Sequence, residues 1–287
     1  MINRPLRIAV YADQKSRVEF SHPDNSSIIR ELRRVFGAQM HLMLVNADAV
    51  RSGSLFLLKP DVFILPGIIG EKSLYHDHIG VEGNMYIRRF VESGGLFMGF
   101  CAGAYYASSR ILYQPDWDAP RERVLNNLSL FNGIASGPVK NKGRKTFETP
   151  VDDAEEIYHI DPVSVTICDG AMAGESFEMA YGLGPMFVNA GDDVKVLARY
   201  AHVEGQPAAI IDMQIGAGHA ILSGVLPQFG HESDPAEFAN GISKPLARLL
   251  TALYQHRDSR RAFWDGLMQR AASHIKPDMI PRHRFAS

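Results

Sequence analysis

Cys101 stands in the pentapeptide Gly99-Phe100-Cys101-Ala102-Gly103, between the apolar run Leu96 to Phe100 and the small-residue stretch that runs on to Ser108. A G-x-C-x-G segment at a strand-to-helix change is the pattern of a nucleophile elbow with cysteine in place of serine. Small flanking residues are needed there because the turn is sharp and its backbone crowded. Such a turn puts the thiol at the carboxyl edge of the sheet, where open α/β folds place their ligands. The first amides of the following helix favour a thiolate and can donate to an oxyanion, Ala102 N–H first among them. The plainer alternative is a free cysteine that fills a tight core position. The elbow context favours the nucleophile.

Other residues carry weaker signals. His231, with Glu232 beside it in "QFGHES", lies on a loop that could fold back to supply a base, although an exposed loop histidine is the commoner reading. His219 in "GAGHAIL" is expected to cap or pack a hairpin. The His-x-His of Tyr75 to His78 could chelate an ion if strand-like, yet no second ligand cluster accompanies it, and no metal site is expected. Cys168 in "VTICDGA" reads as a packed small residue. Of Tyr105 and Tyr106, one is expected to face the cleft and the other the core. Gly182, Gly184 and Pro185 suggest a close backbone approach at the same edge, or else a plain tight turn. Ser136 and Gly137 in "ASGPV" offer another candidate cleft loop with no assigned role, although an ordinary surface turn is the commoner reading.

The elements that must hold these residues follow from the apolar pattern. Leu6 to Tyr11, the runs starting at His41 and Asp61, and Leu96 to Phe100 are short and continuously apolar. Helical patterns separate them, one through Ile28, Ile29, Leu32, Val35 and Phe36 behind Ser26 and Ser27, another through Ile87, Phe90 and Val91. Strands buried on both faces and separated by helices imply a parallel sheet in a doubly wound α/β fold. From Val194 to Val225 the chain alternates and turns at Gly205 and at Gly216-Ala217-Gly218, as antiparallel hairpins do. A polar, turn-rich insertion is expected from about Tyr113 to Asp161 within a domain spanning 1–242. A helical extension, 243–287, is expected to pack on that domain through Leu246, Leu249, Leu250, Leu253, Phe263, Trp264, Leu267 and Met268.

Composition excludes several function classes. Among 287 residues, 30 Lys plus Arg nearly balance 32 Asp plus Glu, so no overall field would gather nucleic acid or an anionic membrane. Neither partner is expected. No run approaches the roughly 18 apolar residues of a membrane span, and the first residues lack a signal-peptide pattern. Two cysteines are too few for a disulfide framework, which suits a reducing compartment, and a cytoplasmic location is expected. No phosphate-cradling GxxxxGK[ST] or strand-linked GxGxxG is present, and no cofactor is expected.

The blocks "DVFILPG", "FVESGGLFMGFCAGAYYAS", "LSLFNGIASGPV", "AYGLGPMF" and "AILSGVLPQF" together resemble the biotin-protein ligase N-terminal-domain-like family, a branch of the class I glutamine amidotransferase-like superfamily. The resemblance covers roughly residues 6 to 230 in consistent order. It implies a flavodoxin-like fold, a nucleophilic Cys101, and a second oxyanion donor from the loop Pro66-Gly67-Ile68, in which relatives usually carry glycine where Ile68 stands. It also places the segment with Gly184 by the active-site cleft, where Gly103 and Tyr105 of the elbow helix are further pocket candidates. In relatives with amidotransferase machinery the strand ending near Gly224 delivers a histidine, a proline and a glutamate; here those places hold Leu226, Pro227 and Gln228. Leucine accepts no proton, and glutamine carries no charge to orient an imidazolium. A free cysteine is only a few per cent thiolate at pH 7, and a helix terminus adds about 0.3 to 2 kcal/mol toward the anion. Loss of the leaving-group donor costs about 10² to 10⁴ in rate. The expectation is therefore a cysteine-dependent amidase or hydrolase of unknown substrate, with Cys101 and His231 as catalytic candidates. The alternatives are a non-catalytic domain binding a small molecule or peptide in the same cleft, or a scaffolding subunit that could self-associate. No biotin ligase module is recognised, and neither biotinylation nor ATP hydrolysis is expected.

Overall fold

The computed structural model describes residues 4–12, 27–67, 75–114, 122–125, 128–139, 161–231 and 244–275, with backbone alone at 122–125 and 244–249. Most of the expected insertion between Tyr113 and Asp161 lies outside the described residues, as do Ile68, Ser26, Glu232 and the tail beyond 275.

Five parallel strands form the first half of the sheet. They run in the order β2 (Met40–Val45), β1 (Leu6–Tyr11), β3 (Val62–Leu65), β4 (Leu96–Phe100), β13 (Gly218–Ser223). Apolar side chains leave both faces, as the continuous apolar runs require. Ile8, Val10, Ile64, Met98 and Phe100 enter one core with Ile28 and Leu32 of helix α1 (Ser27–Phe36). Ala9, Tyr11, Phe63, Leu65 and Phe97 enter the other. That second core is covered by α2 (Ala47–Arg51), α3 (Ser54–Leu58) and α5 (Gly80–Glu92), the last through Ile87, Phe90 and Val91.

Beyond β13 the sheet becomes mostly antiparallel. Strand β12 (Ala208–Ile215) pairs with β13, with β10 (Met186–Val188) and with β11 (Val194–Tyr200). β10 leads to β7 (Phe131–Gly137), which runs parallel to β5 (Ser108–Tyr113), and β5 pairs with β6 (Glu122–Leu125). β11 continues to β8 (Asp161–Ile167) and β9 (Ser176–Tyr181). Helices α7 (Lys244–Gln255) and α8 (Arg257–Ser273) lie over β8 and β9, and Leu253, Phe263, Trp264, Leu267 and Met268 enter the same core as Phe100. This is the flavodoxin-like, doubly wound arrangement, with antiparallel strands added in the second half.

Two local features differ from the sequence reading, and the length of one helix is set only by the fold. The helix after Cys101, α6 (Ala102–Tyr106), is one turn long, because Ser108 Oγ donates to the Ala104 carbonyl at 2.9 Å and the chain leaves directly into β5. Tyr75–His78 forms a short helix, α4, so His76 and His78 are not strand-like partners for one ion, and His76 instead packs edge-on against Tyr106. Cys168 is exposed just past the end of β8, where the chain turns, and is not a packed core residue.

Candidate active site

Cys101 joins β4 to α6 at φ +48° and ψ −107°. Holding a residue with a side chain there costs about 1 to 3 kcal/mol. The surrounding backbone imposes it: the Cys101 amide donates to the Ser223 carbonyl at 2.8 Å, while its own carbonyl accepts from the Ala104 and Tyr105 amides, each at 3.0 Å. The flanking glycines are there for clearance. A Cβ on Gly99 would lie 2.8 Å from the Gly103 carbonyl oxygen, and one on Gly103 would lie 2.2 Å from that of Leu65. The first-turn amides of Ala102 and Gly103 have no acceptor within α6, as at any helix start.

Gly67, Cys101 and Leu226 meet at this elbow. A Cβ on Gly67 would sit 3.4 Å from Cys101 Cβ and 4.0 Å from Leu226 Cδ2. Leu226 is brought in by a single antiparallel bridge, its amide donating to the Ala180 carbonyl at 2.7 Å just past β13. Thus an isobutyl group lies at the elbow, across Gly67 from Cys101, at the place where the resemblance calls for an imidazole. Gln228 is 1% exposed, and neither of its amide atoms has a hydrogen-bond partner among the described residues.

The segment Gly182 to Pro185 lies over the elbow and is held along its length. Cys101 Sγ donates to the Gly182 carbonyl at 3.0 Å, Tyr105 Oη to Leu183 at 3.1 Å, Tyr181 Oη to Gly184 at 2.9 Å and Tyr200 Oη to Pro185 at 2.9 Å. Four successive carbonyls are therefore each satisfied by a different side chain. A Cβ on Gly184 would lie 2.0 Å from the Gly224 carbonyl oxygen, so the strap is seated against the turn that follows β13. Gly137 lies within the same packing rather than on a surface turn, since a Cβ there would lie 2.0 Å from Tyr105 Oη; Ser136 beside it is buried. Burial above all holds the Tyr105, Tyr181 and Tyr200 hydroxyls protonated far above their ordinary range, as donors must be; repulsion from Tyr181 and Cys101 adds to it at Tyr105 and Tyr200, and at Tyr181 burial outweighs the hydrogen bond from the Val139 amide. Tyr106 points into the other core and donates to Asn84 Oδ1 at 2.6 Å. Under this strap Cys101 is 8% exposed.

His231 is not on an exposed loop. It is 2% exposed, with Nδ1 2.9 Å from Oε2 of Glu31, a buried carboxylate on α1 that also accepts from Arg34 Nε at 2.8 Å. Arg260 and Arg261 of α8 bind the carbonyls of residues 229 to 231 and fix that loop. Burial and these two arginines outweigh Glu31 and lower the His231 pKa, so the imidazole is neutral. Glu31 stays ionised: its contacts with His231 and Arg34 outweigh the cost of its burial. Its position was visible in sequence as a carboxylate in the apolar stripe of α1, three residues after Ile28 and four before Val35. Tyr181 and Tyr200 had no such signal, because aromatic residues at strand ends are usually core.

A model of the family described as "Biotin-protein ligase, N terminal" matches residues 7–283. The chain belongs to the biotin-protein ligase N-terminal family. Within it, an uncharacterised protein of Chlamydia muridarum is 29% identical over 234 residues, spanning 78% of this chain and 82% of that one. The biotin–protein ligase of Schizosaccharomyces pombe is 31% identical over 156 residues, 52% of this chain but only 23% of the ligase. Among solved structures, PurLQS from Thermotoga maritima superposes with a TM-score of 0.50 at 16% identity, covering 92% of this chain and 99% of the other. A glutamine amidotransferase superposes at 0.44 and 18% identity over 77% of this chain and 90% of that one. At 16% identity the PurLQS superposition is a likeness of fold alone. Among the described residues no helix is long and apolar enough to cross a membrane.

Proposed function

We propose that this family member is a glutamine amidotransferase-like domain whose working group is the Cys101 thiol, a nucleophile toward a small acyl substrate rather than a glutaminase. One observation carries the reading: a cysteine is kept at φ +48°, where glycine would sit without strain. The thiol gives its proton to solvent water and leaves the Gly182 carbonyl. Sγ adds to the substrate carbonyl carbon, and the amides at the elbow receive the oxyanion. The intermediate collapses by breaking the bond to the leaving group, and water then hydrolyses the thioester to release acid and thiol. Leu226 supplies no proton to the leaving group, so the chemistry suits groups that depart unprotonated, such as thioesters and activated esters, and is slower on amides by about 10² to 10⁴.

A second reading has its own observation, the buried Glu31–His231 pair, which has the make-up of an orienting carboxylate and a base. Incubation with a thioester and an amide of the same acyl group, followed by intact mass, separates the readings. An acyl adduct formed from the thioester, absent in Cys101→Ala, supports the proposal. Amide turnover abolished by His231→Gln supports the second reading. Reversible binding without any adduct would overturn both in favour of a binding domain.

A further inference from the structure

At the opposite edge of the sheet, His219 registers with Leu96, the first residue of β4, whereas Cys101 follows its last; the two places are roughly 16 Å apart along the strands. Here we infer that Asp212, His219 and His274 form a binding site for a divalent transition-metal ion. Asp212 on β12 and His219 on β13 are diagonal neighbours, since Asp212 faces Ile221 and His219 faces Gln214. His274 caps the end of α8 above them. Asp212 Oδ1 is 3.4 Å from His219 Nδ1, Oδ2 is 2.9 Å from His274 Nε2, and one donor atom from each residue lies within 4.8 Å of the other two. Bonds of about 2.0 to 2.2 Å ask for donors roughly 3 to 3.5 Å apart. Two imidazoles and one carboxylate are the donor set of zinc and non-haem iron sites that keep positions for water.

The surroundings suit a ligand set. Arg270 Nε holds Asp212 Oδ2 at 2.6 Å, its Nη1 holds Asp169 Oδ2 at 2.6 Å, and Lys195 holds Asp169 Oδ1 at 2.8 Å. The chain of contacts orients the carboxylate, as outer partners of metal ligands do, and leaves Oδ1 toward His219. The rings of His219 and His274 stack at 3.7 Å and 12°, and one ion cannot lie in both parallel planes. Loading must turn one ring out of the stack.

The test titrates Co²⁺ and Zn²⁺ into the chelator-stripped full chain. Expected are one saturable Co²⁺ per chain with visible d–d absorption, a Zn²⁺-dependent rise in melting temperature, and loss of about tenfold or more in affinity in both His219→Ala and His274→Ala. His274→Gln, at the helix end, provides a milder variant should either alanine form fail to fold, and Cys101→Ser should bind as the wild type does. Absence of saturable binding below about 1 mM, binding retained in the histidine variants, or binding lost with Cys101 would each overturn the inference, and none of these outcomes bears on the acyl chemistry of the elbow.

Discussion

The Cys101 thiol donates to the Gly182 carbonyl at 3.0 Å, so the candidate nucleophile also fastens the strap that covers it. Ionising the sulfur gives up that bond and sets its charge against the carbonyl's lone pairs. Access and reactivity are therefore coupled at one atom.

The tyrosines that hold the rest of the strap should control how fast Cys101 meets a reagent. Removing one hydroxyl leaves a carbonyl unsatisfied, worth about 1 kcal/mol or more, and shifts the opening equilibrium by about fivefold or more. Tyr105→Phe, Tyr181→Phe and Tyr200→Phe should each raise the rate of Cys101 alkylation by iodoacetamide by about that factor. Unchanged rates in all three would mean that the strap does not gate the thiol.

Gly184 and Gly224 meet with no room for a methyl group; a Cβ on Gly224 would lie 1.8 Å from the Pro185 carbonyl oxygen. Both obstacles are backbone. Gly184→Ala and Gly224→Ala should each lower stability by about 2 kcal/mol or more in urea melts, whereas Gly266→Ala, which meets nothing within 4 Å, should hold or raise it.

Restoring the missing pair is a direct probe of the elbow. Leu226→His combined with Gln228→Glu would place an imidazole at the elbow, with a carboxylate two residues on. The pH midpoint of alkylation should fall, and amide hydrolysis should rise by about 10² or more. A midpoint that does not move would show that Leu226 does not stand where a base is needed.

His231 fixes the sign of one pH effect. Its folded-state pKa lies below the ordinary 6.5, so the unfolded chain binds the proton more tightly. Stability is full above about pH 6.5, declines as pH falls from there toward the lowered value, and then levels. Urea midpoints between pH 8 and 5 should show this fall, and His231→Gln should reduce its slope. His219 shifts in the same direction and would keep part of it.

How much could be read in advance depended on the range of the forces involved. The strands Leu6–Tyr11, Val62–Leu65 and Leu96–Phe100, the face of α1 and the elbow glycines were legible because each obeys a local rule of periodicity or clearance. The place of Leu226 was legible only through the resemblance, whose blocks keep their order along the chain. The one-turn α6, by contrast, ends through a hydrogen bond from Ser108 back to Ala104, a choice that helix propensity does not record.

The sequence by itself determined a parallel sheet with a thiol at its carboxyl edge, because burial on both faces and a crowded turn restrict residue types at consecutive positions. Only the tertiary structure decided that Tyr105, Tyr181 and Tyr200 tie down the strap, that His231 faces Glu31, and that Asp212, His219 and His274 converge. Tyr181 and Gly184 lie three residues apart and Asp212 and His219 seven, but the other pairings cross 15 to 200 residues, and a partner chosen by chain topology over such spans leaves no mark on the spacing around either member.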